Sequence, residues 1–125
     1  MTLKTMMVIK AVVCLFFGIL FLFAPEFLYG IFGATLNNGG VFAAHEYGAA
    51  MFGILMITWF GRNAVDSDLR RATVLGLTVY DGIGVVISII AVAAGVMNAL
   101  GWLVVVLYLF LALGFGYFLI KNPKP

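Results

Sequence analysis

The stretch GWLVVVLYLFLALGFGYFLI, residues 101–120, contains no charged side chain and is followed directly by Lys121. An α-helix rises about 1.5 Å per residue, so a run of this length spans the roughly 30 Å hydrocarbon core of a bilayer. In water, the same helix would expose apolar surface on every side. The stretch therefore predicts a membrane-spanning helix.

Three more stretches of this kind precede it, at about residues 5–24, 41–60 and 72–95. The chain of 125 residues is 65% hydrophobic and 10% charged, whereas a soluble domain has roughly 25% charged residues. No small-x-small cleavage site follows the first stretch, so we expect it to be retained as a span rather than removed as a signal peptide. The sequence thus predicts an all-α fold, with residues 1–125 forming a single four-helix transmembrane bundle.

The basic residues predict the orientation of these spans. All of them fall on one side of the four-span arrangement, and residues 25–40 and 96–100, on the other side, contain none. Because short cytoplasmic loops are enriched in Lys and Arg, we expect a multi-pass protein of the cell inner (cytoplasmic) membrane with both termini in the cytoplasm. The basic residues are Lys4, Lys10, Arg62, Arg70, Arg71, Lys121 and Lys124.

The longer outer loop begins with PEFLYGIF, residues 25–32. Pro25 suits the first turn of a helix, and Glu26 is favourable at a helix N-terminus. With an apolar face following these two residues, the segment predicts a short helix lying in the outer membrane interface. The sequence NNGG, residues 37–40, then predicts the turn into the second span.

Small and polar residues at helical spacing predict which face of each span turns inward, because membrane helices pack closely through such residues. The stripes are Lys10, Cys14 and Gly18 in the first span; Glu46, Ala49, Ala50 and Gly53 in the second; Thr78, Asp81, Gly84, Ser88, Ala91 and Gly95 in the third; and Tyr108, Ala112 and Gly116 in the fourth. We expect Glu46 and its neighbours on this stripe to face the bundle or a protein partner.

Ionisable residues inside spans are costly and mark candidate sites. Lys10 and Asp81 lie at similar depths, so we predict that they form an ion pair in the inner half of the bundle. In the alternative, the lysine extends to the headgroups and a protonated aspartic acid bonds to Thr78 or Tyr108. The candidate polar site comprises Lys10, Glu46, Asp81, Thr78 and Tyr108.

His45 is the single histidine, and one imidazole can ligate a pigment metal. A pigment held by His45 is therefore an alternative to the expectation that no cofactor is bound. The sequence shows no nucleophile–base pair and no metal-ligand spacing, so we predict neither a catalytic nor a metal site, and no nucleic-acid partner.

The chain resembles the small four-helix bacterial membrane proteins grouped as DoxX-like. The resemblance is carried by Gly18, Pro25-Glu26-Phe27, Phe32-Gly33 and the run YGAAMFG, residues 47–53. It implies a four-helix bundle and no particular activity.

Three functions follow from these patterns. The first is an accessory or structural subunit of a larger membrane complex, bound to the bilayer and to other membrane subunits or to further copies of itself. The second is a small transporter or proton or ion pathway that uses Asp81. The third is a pigment-binding subunit that uses His45.

Overall fold

Residues 1–121 are described by the computed structural model, and they form helices joined by short connections. Four of the helices are long and apolar enough to cross a membrane, and residues 1–121 contain no β-strand. The helices are α1 (Leu3–Phe23), α2 (Pro25–Ile31), α3 (Asn38–Gly61), α4 (Asp68–Ala93) and α5 (Gly101–Lys121).

Polar N-caps determine where three of the long helices begin. The side chain of Thr2 accepts a hydrogen bond from the Thr5 backbone N–H at 3.2 Å, and Asn37 and Ser67 cap α3 and α4 in the same way. These helices start at residues 3, 38 and 68, whereas the apolar stretches place their starts at about 5, 41 and 72. The prediction of a turn through residues 37–40 is therefore wrong after Asn37, because the cap begins the helix inside that segment.

Left-handed glycines mark two of the helix ends. Gly33 and Gly95 both have φ of 76°, a conformation that favours glycine. Gly95 lies just past α4, which explains why this helix ends at Ala93, short of the predicted residue 95. Close to Gly33, the backbone N–H of Asn98 donates to the Phe32 carbonyl at 2.7 Å, so the end of α2 is joined to the α4–α5 connection.

The short helix predicted at residues 25–32 is confirmed as α2, Pro25–Ile31. Leu28 is buried against α1 and α3, whereas Phe27 is 58% exposed and Ile31 is 45% exposed. The helix therefore has one side packed on the bundle and one apolar side free.

The long helices associate as two close pairs, α1 with α3 and α4 with α5. A less extensive contact between α1 and α5 links the pairs. One apolar cluster, around Met6, Leu77 and Phe115, joins α1 to α4 and α5; the other, around Phe21 and Met51, joins α1 to α2 and α3. Polar residues of α1, α3, α4 and α5 meet between the pairs, and they are the candidate site.

Basic side chains gather at one end of the molecule, which we call the basic end. It is formed by the start of α1, the α3–α4 connection, the start of α4 and the end of α5, where the Arg71 guanidinium donates to the Leu119 carbonyl at 3.4 Å. Lys10 differs from the other basic residues because it lies inside the bundle. Lys124 lies outside the described residues. The basic end comprises Lys4, Arg62, Arg70, Arg71 and Lys121.

Candidate functional site

A buried ion pair links α1 to α4. The Lys10 ammonium lies 2.5 Å from Oδ1 of Asp81, and the two side chains are 1% and 0% exposed. The predicted pair is confirmed, and the alternative in which Lys10 extends to the headgroups is wrong. Because each charge would otherwise be costly in an apolar interior, the pair ties the two helix pairs together at this point.

The surroundings of this pair are only partly polar. The Lys10 ammonium also lies 4.4 Å from the ring centroid of Tyr80, a cation–π contact. Asp81 uses one carboxylate oxygen; the other, Oδ2, is buried without a hydrogen-bond partner among residues 1–121. A buried acceptor left unpaired is unusual in a folded protein. The Asp81 carboxylate can therefore accept a further hydrogen bond through Oδ2.

Three tyrosines from three helices form a cluster beside the ion pair. The Tyr47 hydroxyl, on α3, is hydrogen-bonded to the Tyr80 hydroxyl on α4 and lies 2.6 Å from the Tyr108 hydroxyl on α5. The Tyr47 ring also packs edge-on against Phe21 of α1, with 4.8 Å between ring centroids. The cluster therefore connects all four long helices.

A fourth tyrosine approaches from α2. Tyr29 packs edge-on against the same Phe21, with the ring centroids 5.9 Å apart. Burial raises the pKa of the Tyr29 phenol above its ordinary value, and the nearby Tyr108 raises it further. Both effects favour the neutral form of this phenol.

The sequence predicted Tyr108 as a member of the site but not Tyr47 or Tyr80. Tyrosines of membrane proteins concentrate at the interfaces, where the hydroxyl reaches water. Tyrosines deep within a span are the signal that could have been used, because each hydroxyl there needs a partner inside the bundle. Tyr80 also precedes Asp81 directly in the chain.

The remaining members of the predicted site lie elsewhere. The Thr78 hydroxyl donates to the Val74 carbonyl of its own helix at 2.8 Å and makes no hydrogen bond to Asp81. Glu46 and His45 are both exposed on α3. Among residues 1–121, no three His, Cys, Asp or Glu side chains are grouped closely enough to hold a metal ion.

The first form of the prediction for the Glu46 stripe, that it faces the bundle of this chain, is wrong, because Glu46, Ala49, Ala50 and Gly53 are all exposed. The other form, that it faces a protein partner, stays a prediction. α3 instead packs through a neighbouring face whose buried residues are Ala44, Gly48, Met51 and Thr58. Small residues occur on both faces, so they did not distinguish between them; the close approach occurs at Gly48, where an added Cβ would lie 2.9 Å from Cγ of Leu22. In contrast, Lys10, Cys14 and Gly18 of α1 are all buried as predicted.

Replacing Tyr47 by Phe should lower the free energy of unfolding by about 1 to 2 kcal/mol, because two hydrogen bonds are lost and two tyrosine hydroxyls lose a buried partner. SDS titration of the purified protein in mixed micelles measures this change. Tyr117→Phe is the matched control, since the Tyr117 hydroxyl meets only the exposed Lys121 and its side chain is 53% exposed. Equal stabilities of the two variants would show that the cluster does not stabilise the fold.

Comparisons of the chain with models of protein families, with curated proteins and with solved structures find no match. The resemblance to DoxX-like proteins therefore stays a prediction.

Proposed function

We propose that the chain is an accessory subunit of a larger membrane complex, inserted in the cytoplasmic membrane with both termini in the cytoplasm. The grouping of basic side chains at one end supports this orientation, because that end then lies on the cytoplasmic side. The opposite end, which includes α2, would then lie at the outer surface.

The observation that carries the proposal is the exposed face of α3 around Glu46. This carboxylate lies about 12 Å from the start of α3, at 1.5 Å per residue, which places it in the first third of this 24-residue helix. A charged side chain facing lipid is costly, by about 2.5 to 3.5 kcal/mol near the centre of a span. Glu46 has no hydrogen bond or ion pair within the described part of the chain, and Ala49, Ala50 and Gly53 beside it would allow a partner helix to approach closely.

The ion pair supports a structural function over transport. An exchanging carboxylate needs access to water, whereas Asp81 is 0% exposed and held by Lys10. Two clefts open at the basic end, and neither is lined by Lys10 or Asp81. Lys10 and Asp81, the two buried charged side chains of the described residues, therefore join the two helix pairs.

Site-specific photo-crosslinking in native membranes tests the proposal. A photoreactive amino acid at position 49 should form an adduct with a different polypeptide, whereas the same amino acid at Ile90, which is 60% exposed on α4, should label lipid only. An adduct of twice the mass of the chain would show that this face binds a second copy, and the exposed face of α3 would then no longer support binding to a different subunit. The absence of any protein adduct at position 49 would overturn the accessory-subunit proposal.

A proton or ion pathway is the second candidate, and the unpartnered Oδ2 of Asp81 favours it. That oxygen could receive a proton or a water molecule if the two helix pairs separated. Proton flux through the purified chain in liposomes, abolished by Asp81→Asn in a protein of unchanged stability, would establish this function in place of the first.

A further inference from the structure

A cleft of about 220 Å³ opens at the basic end, between the first turn of α1, the end of α3 and the start of α4. Met7 lines it from α1 and is only 2% exposed, so the cleft reaches into the bundle. Its size suits a small headgroup better than a drug-sized molecule. The polar residues that line it are Thr2, Lys4, Arg62, Asn63 and Arg70.

The charge of this cleft is strongly positive. Three cations line it, from α1, from the α3–α4 connection and from α4, and no acidic residue does. Asp66 offsets part of this charge from outside the cleft, since its carboxylate lies 3.9 Å from the Arg70 guanidinium. The first turn of α1 has no acidic residue, so the positive end of that helix adds to the field. The cleft therefore favours an anion.

Arg62, one of the two arginines that line the cleft, is held in place by Trp59. The Arg62 guanidinium lies 4.0 Å from the centroid of the Trp59 ring and donates to the Trp59 carbonyl at 2.5 Å. Guanidinium groups have several N–H donors and match the oxygens of a phosphate in geometry. Arg62 uses one guanidinium nitrogen to bind the Trp59 carbonyl, and its other N–H groups can donate to a ligand. Together with Lys4 and Arg70, it forms a suitable set of donors for a phosphate.

The neighbouring residues favour a lipid over a soluble anion. Trp59, which is 41% exposed, is the type of side chain that concentrates at the membrane interface. Phe60 and Val65, on either side of cleft residues 61–64 in the sequence, are 75% and 79% exposed. The acyl chains of a lipid would cover this apolar surface, whereas a soluble phosphate ester has no apolar group that could contact it.

We propose that this cleft binds the phosphate group of an anionic phospholipid from the leaflet at the basic end. Arg62 and Arg70 donate to the phosphate oxygens, and Lys4 adds charge at the cleft mouth. The exposed aromatic and apolar side chains beside the cleft lie along the acyl chains. This binding is independent of the accessory-subunit proposal, which concerns the opposite half of α3.

The test uses the purified full chain carrying Trp102→Phe, so that Trp59 is the only tryptophan. Short-chain phosphatidylglycerol, phosphatidylcholine of the same chain length and glycerol phosphate are titrated in turn, and Trp59 fluorescence reports binding. Native mass spectrometry counts the retained lipids. We expect saturable binding of phosphatidylglycerol, at least about tenfold tighter than that of phosphatidylcholine.

The Lys4→Gln/Arg70→Gln double variant should weaken phosphatidylglycerol binding about tenfold or more, because two of the three cations are removed. Lys121→Gln, an exposed cation at the same end but outside the cleft, is the control and should leave binding within about twofold. Equal binding of the two lipids, or an equal loss in the control, would overturn the proposal. Glycerol phosphate binding as tightly as phosphatidylglycerol would replace the lipid by a soluble phosphate ester as ligand.

Discussion

Asp81→Leu is expected to lower the free energy of unfolding by about 3 to 5 kcal/mol, because it leaves the Lys10 ammonium buried without its counter-ion. Lys10 is 1% exposed, so it cannot recover hydration without opening the bundle. Asp81→Asn should also destabilise, since a neutral amide compensates a cation poorly. SDS titration in mixed micelles measures both variants against the native chain.

The double variant Lys10→Met/Asp81→Leu should recover most of this loss, because replacing both members of a buried pair by apolar groups of similar size leaves no uncompensated charge. Glu46→Leu is the matched control: it removes a carboxylate from a long helix at an exposed position and should change stability little. If the double variant were as unstable as Asp81→Leu, side-chain packing rather than charge would explain the loss. If Asp81→Asn kept full stability but abolished ion flux, the residue would serve transport.

The sequence predicted the features that depend on one helix at a time. Apolar length identified the four long helices, and Pro25 with Glu26 identified α2. Helix starts were placed too late because apolar stretches mark the hydrocarbon core, whereas the caps Thr2, Asn37 and Ser67 lie beyond it. The left-handed Gly95 was read as part of the third span, although it ends α4.

Features that depend on how helices pair were predicted less completely. Lys10 and Asp81 were matched because charges at similar depth inside a membrane have few other partners. The position of Glu46 was not predicted, because α3 carries small residues on two faces and only its packing on α1 selects one of them. Tyr47 and Tyr80 were missed for a related reason, since their contact joins α3 to α4 across the gap between the helix pairs.

The packing of α3 on α1 gives the second large expected effect. Gly48→Ala should lower the free energy of unfolding by about 1 to 3 kcal/mol, the usual cost of overpacking a close contact. The added Cβ would lie 2.9 Å from Cγ of Leu22 and 3.1 Å from its backbone nitrogen. A rotamer change moves the side chain but not the nitrogen, so α1 and α3 must separate.

Gly53→Ala is the matched control on the same helix, because a Cβ at position 53 meets nothing within 4 Å. Alanine favours helix over glycine by up to about 1 kcal/mol, so this variant should be as stable as the native chain or slightly more so. The contrast separates the packed face of α3 from the face proposed to bind a partner. In SDS titration of the isolated chain, only the substitution at position 48 should lower the free energy of unfolding. In photo-crosslinking, the photoreactive amino acid at position 49 should form the protein adduct. If Gly53→Ala destabilised the isolated chain as much as Gly48→Ala does, the face around Glu46 would already be covered by the chain itself, and it could not be a partner surface.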